Sequence, residues 1–211
     1  LTGVGVNANP APPRLKPEWQ ALLVRQGAFE FNPARHDFGD KTLLGQPIAG
    51  RGFDEVEQAL DIIVGQPATA HFVCHQLAVA FVADDPPAAL VERMAKTFLQ
   101  RHGDIPSVLR VMFTSKEFER SLGGKFKDPE HYVVSALRLA YDPATQDGRF
   151  LVNLKPATNM LNALGQGLYG KPTPDGYGLR EADWASAGQM SKRFEIAKWL
   201  GGSNAGLFDP D

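Results

Sequence analysis

From Asp54 onward the apolar positions recur every three or four residues, the period of helices that bury one face. Val56, Leu60 and Ile63 open the series. Asp54 stands three residues before Glu57, close to a capping box. Gln66-Pro67 restarts the chain, and the next helix is expected to run to about Ala83. It carries Val73, Leu77, Ala80 and Phe81 on one side, with His71, His75, Ala78 and Val82 opposite. A helix this apolar all round predicts a central position. Asp84-Asp85-Pro86-Pro87 stops it. Leu90, Val91, Met94, Ala95 and Phe98 stripe the following helix, which closes near Gly103. Asp104 caps another, with Val108, Leu109, Met112 and Phe113 inward. After the Gly123-Gly124 loop, Asp128-Pro129 begins a helix with Val133, Val134, Leu137 and Tyr141 as its stripe. Pro156 opens one bearing Met160, Leu161, Leu164 and Leu168. The last is expected from about Asp183 to Leu200, halted by Gly201-Gly202.

Ahead of Asp54 the pattern changes. Pro10, Pro12, Pro13 and Pro17 interrupt residues 1–27, which read as an extended proline-rich arm with one helical turn around 19–24. Residues 28–31 and 42–48 are short apolar or β-branched runs separated by turn residues, the punctuation of a small hairpin closed by a long loop. The expected fold is mainly α: a multi-helix, bundle-like domain with one small β-hairpin near the N-terminus. Its divisions are the arm at 1–27, a helical domain at 28–203 and a tail at 204–211.

Composition narrows the functional classes. The formal net charge of −2 lacks the basic excess of a phosphate-backbone binder, so no nucleic-acid partner is expected. One cysteine, Cys74, excludes an internal disulfide framework and a cysteine-rich zinc site. No run approaches the roughly 18–20 apolar residues of a membrane span. Leu1-Thr2-Gly3-Val4 has neither an initiating Met nor the basic start and apolar core of a signal peptide, so the chain reads as trimmed.

His36-Asp37, with Asp40 and Lys41 beside it, is the densest polar cluster. A histidine among carboxylates has the chemistry of a general base, and His36, Asp37 and Lys41 are the candidate catalytic residues. The bland alternative is a loop in which the aspartates make Asx-turns and His36 caps an edge. His71 and His75 share a helix face but lack the Glu of a His-Glu-x-x-His motif, so they read as core residues. Cys74 reads as inert core. No metal or cofactor is expected. The loop Lys171-Pro-Thr-Pro-Asp-Gly-Tyr-Gly178, with Trp184 beyond it, is the candidate for ligand recognition: Tyr177 and Trp184 to stack, Asp175 and Arg180 to orient. The competing reading is a rigid connector whose Tyr177 and Trp184 plug the bundle end. Gly123-Gly-Lys-Phe-Lys127 lacks Walker spacing, and Lys125 and Lys127 are expected to pair with carboxylates at a helix start.

Four segments together resemble the bacterial domain of unknown function 1800. They are Phe31-Asn-Pro-Ala-Arg-His-Asp-Phe-Gly-Asp-Lys-Thr-Leu-Leu-Gly45; Gln66-Pro-Ala-Thr-Ala70 through Phe81-Val-Ala-Asp-Asp-Pro-Pro87; Ser115 and Phe118 with Lys125-Phe-Lys-Asp-Pro129; and Gly165-Gln166, 172–176, Trp184 and Arg193. They cover nearly all of residues 28–200. The family's domain is about twice as long, and Leu1-Thr2-Gly3 resembles its mid-domain Leu-Thr-Gly. The resemblance therefore implies the C-terminal half of the domain, with the N-terminal half as its natural partner. It also implies a bacterial, exported protein, periplasmic or secreted, and a sulfatase- or phosphatase-like partner. Gln66 departs from the family's usual His before Pro, and other members often differ at 71 and 75. Two functions compete: a helical accessory or scaffold component of an exported system, and a hydrolase-type enzyme, on polysaccharide, working near the His36 loop and residues 171–184.

Overall fold

The computed structural model describes residues 2–9, 11–140 and 153–202, so Tyr141 and the expected tail lie outside the described residues. The fold is mainly α with a small antiparallel strand region near the N-terminus. The chain divides into two compact units, Leu1–Cys74 with Val91–Val111, and His75–Leu90 with Met112–Asp211.

The first unit begins with β1 (Val4–Val6), α1 (Pro17–Gln20), β2 (Val24–Gln26) and β3 (Phe29–Phe31). These strands form an antiparallel sheet in the order β1-β3-β2. A separate hairpin follows, β4 (Lys41–Leu43) against β5 (Gln46–Ile48), turning through Leu44 and Gly45, both at positive φ as the tight primed hairpin turn requires. The expected pairing of 28–31 with 42–48 is thus corrected. The two runs belong to different sheets, and β3 takes its partners from the proline-rich segment instead. The reason is local: Leu44-Gly45 closes 41–48 on itself, leaving both edges of β3 for Val4–Val6 and Val24–Gln26.

α2 (Asp54–Val64) packs against β5. Phe53, not Asp54, is its N-cap, and no side chain caps it, so the capping box does not form. Glu55 and Ala59 face inward while Leu60 and Ile63 are exposed, so the apolar stripe is turned partly away from the core. α3 (Pro67–Phe81) gives its residues up to Cys74 to this unit. It is not buried all round: Ala70, Cys74, Ala78, Val79 and Val82 are buried, while Phe72 and Phe81 are exposed. α4 (Ala88–Gln100) and α5 (Ile105–Phe113) bring Val91, Met94, Phe98 and Val108 into the interior as their spacing predicts. Asp104 Oδ2 accepts from the Ser107 N–H at 2.9 Å, the expected cap.

In the second unit, Ser115 caps α6 (Lys116–Ser121), and Asp128 Oδ1 caps α7 (Pro129–Ala140) through the His131 N–H at 2.8 Å. α7 packs on α8 (Lys155–Ala163) and α10 (Ala187–Gly201). Val133, Leu137, Met160, Leu161, Leu164, Ile196 and Leu200 form their common core. Val134 and Leu168, expected inside, are exposed. The single helix expected from 183 to 200 is two, α9 (Glu181–Trp184) and α10, because Ser186 adopts extended backbone and caps the second through the Gln189 N–H.

Candidate functional site

His36 follows β3 by one 3-10 turn, Pro33–Arg35, started by Asn32 Oδ1 accepting the Ala34 N–H. Its side chain is wholly enclosed, between the rings of Phe31 and Phe38 at 5.1 and 4.6 Å. Nδ1 lies 2.8 Å from the Thr2 carbonyl, and Nε2 lies 3.2 Å from Glu55 Oε1. Both nitrogens face oxygen atoms. Lys41 Nζ sits 2.9 Å from the other Glu55 oxygen and donates to the carbonyls of Asp37 and Gly39. Glu55 is buried with Lys41 and His36 against it. Burial pushes its carboxyl pKa up, but the hydrogen bonds and charges of Lys41 and His36 outweigh burial and hold it below the ordinary value.

Glu55 is the residue that sequence reasoning missed. Its neighbours Asp54 and Glu57 drew attention as a cap, yet Glu55 is the acid turned inward. A usable signal was its place on the side of α2 opposite Glu57, one turn before Ala59. Gly50 allows this approach: a Cβ there would stand 2.8 Å from the Asp54 carbonyl carbon and the Glu55 nitrogen. Gln58 Oε1 completes the seam, accepting from the Ala49 and Gly50 N–H groups at 2.8 and 3.0 Å.

Asp37 plays a different part from His36. It is exposed, and Oδ1 accepts the Gly39 N–H at 2.9 Å in an Asx-turn. That backbone hydrogen bond, then the Lys41 charge, lowers its pKa. A second polar group, also unforeseen, lies on the sheet. Buried Glu30 is 3.3 Å from Arg25 Nε and accepts from Asn7 Nδ2 at 2.8 Å.

The candidate ligand loop belongs to the other unit. Trp184 is buried and donates Nε1–H to the Gly178 carbonyl at 2.8 Å. Half-buried Tyr177 donates to the Gly167 carbonyl at 3.0 Å, and the two rings are 6.1 Å apart. Asp175 accepts from Thr173, which lowers its pKa, and Arg180 reaches Asp85 at 3.6 Å. Asp84 anchors the loop's exit: one oxygen takes Lys125, the other the Glu181 N–H at 2.6 Å. Lys125 thus meets a carboxylate at the start of α9 as expected, and also donates to the Leu179 carbonyl at 2.7 Å. Lys127 instead donates to Ser135 Oγ at 2.8 Å. Burial raises the Asp84 pKa, but Lys125 and the Glu181 N–H carry it below its ordinary value.

Cys74 is fully buried, and burial pushes its thiol pKa up to about 11, which leaves it unreactive as a nucleophile. His71 is exposed, 3.5 Å from Glu92. Among the described residues, no three His, Cys, Asp or Glu side chains gather as metal ligands, and no helix is long and apolar enough to cross a membrane.

Fold and clusters together define a mainly helical protein in which a few charged groups, Glu30, Glu55, Asp128 and Arg193, turn inward. The chain belongs to the family described as protein of unknown function (DUF1800), whose model matches residues 1–209. The match spans essentially the whole chain, arm included, rather than 28–200, and it does not carry the narrower expectation of a C-terminal half. No curated protein and no solved structure matches the chain.

Proposed function

We propose that the chain is a helical accessory or scaffold component, a body that binds partners rather than one that turns over a substrate. The observation that carries this reading is the division of labour between side-chain types. His36, Lys41, Tyr177 and Trp184, nominated from sequence for chemistry, are committed to internal contacts. Large apolar side chains stand exposed in both units, Leu60 and Phe72 in the first, Phe194 and Leu168 in the second. Exposed apolar surface is the material of protein interfaces. By family resemblance the partners are the N-terminal half of the same domain and a sulfatase- or phosphatase-like protein, in an exported bacterial system.

The hydrolase reading retains Asp37, whose carboxylate is exposed and held ionised beside Lys41. Its proposed general base, His36, has no exposed ring atom with which to meet substrate. Sedimentation velocity on the chain co-expressed with the N-terminal half tests the scaffold reading. A one-to-one complex that survives Asp37→Asn supports it. Polysaccharide hydrolysis by the chain, lost on Asp37→Asn, replaces it with the enzyme.

A further inference from the structure

Among the described residues, one edge of the three-stranded sheet is unpaired. β1 ends the order β1-β3-β2, and its bonds to β3 fall on alternate residues. The Asn32 N–H donates to the Gly3 carbonyl at 2.8 Å and the Asn7 N–H to the Ala28 carbonyl at 2.7 Å, which puts Gly5 opposite Glu30 in the same phase. The N–H and C=O groups of Val4 and Val6 therefore point away from β3. Both side chains are exposed, Val6 at 85%. Proteins commonly blunt such an edge with Lys, Pro or a bulge, and Val4-Gly5-Val6 contains none of these.

A cavity of about 230 Å3 runs along this strand, lined by residues 3–7, Glu30 and Arg35. Arg25 neutralises Glu30 at its floor. Arg35 is exposed and has no ion-pair partner among the described residues, so it leaves the groove with one net positive charge. Above Gly5 the groove is open: a Cβ there would meet nothing within 4 Å.

We propose that this groove binds an extended peptide segment, which adds to β1 as an outer strand and sets a carboxylate against Arg35. Val4 and Val6 supply the main-chain ladder, as in other strand-addition complexes, and Arg35 selects for acid through a charge-assisted pair. The proposal stands apart from the scaffold reading, since an enzyme would carry the same groove.

The test titrates the 15N-labelled 211-residue chain with an acetylated pentapeptide amide of alternating Val and Thr around one central Glu. The expected result is slowed hydrogen exchange at the Val4 and Val6 amides. Arg35→Gln weakens binding by roughly tenfold, the usual share of one charge-assisted hydrogen bond. Val6→Pro, which removes an outward N–H that the ladder needs and leaves the bonds to β3 in place, abolishes binding with the circular dichroism spectrum unchanged. A backbone N-methylated peptide fails to bind. A matching peptide with central Gln and a free C-terminus tells a side-chain carboxylate from a terminal one, whichever binds more tightly to wild type and loses that advantage in Arg35→Gln. The proposal is overturned by unmoved Val4 and Val6 signals up to about 1 mM peptide. Equal binding of the N-methylated peptide, unchanged affinity in Arg35→Gln, or a dimer that Val6→Pro splits and peptide does not would also overturn it.

Discussion

The β end of the first unit and the α7–α8–α10 cluster of the second solve the same problem with different chemistry. Strands of three residues offer little apolar surface, and in residues 29–55 Phe31 and Pro33 are the only apolar side chains fully buried. Directional contacts close the gap: His36 and Lys41 on Glu55, and Arg25 and Asn7 on Glu30. In the helical cluster hydrocarbon dominates: seven buried apolar residues meet along three helices, and the buried Arg193 beside them lies over the rings of Tyr132 and Phe126. Charged pins respond to pH, whereas burial of hydrocarbon does not. The densest polar cluster in the sequence therefore lies where apolar surface runs short. A run of chemistry-bearing residues can mark a weak hydrophobic core as readily as an active site.

The comparison can be broken at Glu55 first. Glu55→Ala leaves the Lys41 charge without its buried counter-charge and is expected to cost the first unit about 3–5 kcal/mol in urea unfolding near neutral pH. In the second unit, Leu164→Ala empties a fully buried site at an expected cost of about 2–5 kcal/mol. That loss stays the same on acidification, whereas the Glu55→Ala penalty shrinks.

Acid separates the two regions without mutation. The Glu55 pKa is lowered in the folded chain from an ordinary 4.5, so its stabilisation is complete above that value and disappears as pH falls through the lower folded one. Hydrogen exchange below pH 4.5 should open β4 and β5 while α7 stays protected. Asp84 adds a smaller acid-sensitive contribution at the 171–184 loop, by the same sign and from an ordinary 3.8. The smallest expected change is Trp184→Phe, which removes one hydrogen bond to Gly178 and costs about 1 kcal/mol, read as a lower melting temperature.

Much of the helical part was legible because its signals are local. Asp104 and Asp128 cap where their spacing says, and Val91, Met94, Phe98, Val108, Met160 and Leu164 are buried on schedule. The strand pairing was not legible, since antiparallel partners with three-residue strands carry almost no pattern, and Val4–Val6 lies more than twenty residues from Phe29–Phe31. Leu60 and Ile63 misled for a physical reason: helix period shows that a face exists but not what covers it. The polar cluster was found through His36, Asp37 and Lys41. Its centre, Glu55, was hidden because long-range charge pairing leaves no spacing rule in the chain.

The central claim is that His36 is sealed inside the protein as a pin between Thr2 and Glu55. Diethyl pyrocarbonate footprinting of the native chain, read by peptide mass, tests it most directly against His71 and His131, whose side chains are 52% and 62% exposed. The account predicts modification at both of those residues and none at His36 until the chain unfolds. Reaction of His36 as fast as His71 in the folded protein would contradict it.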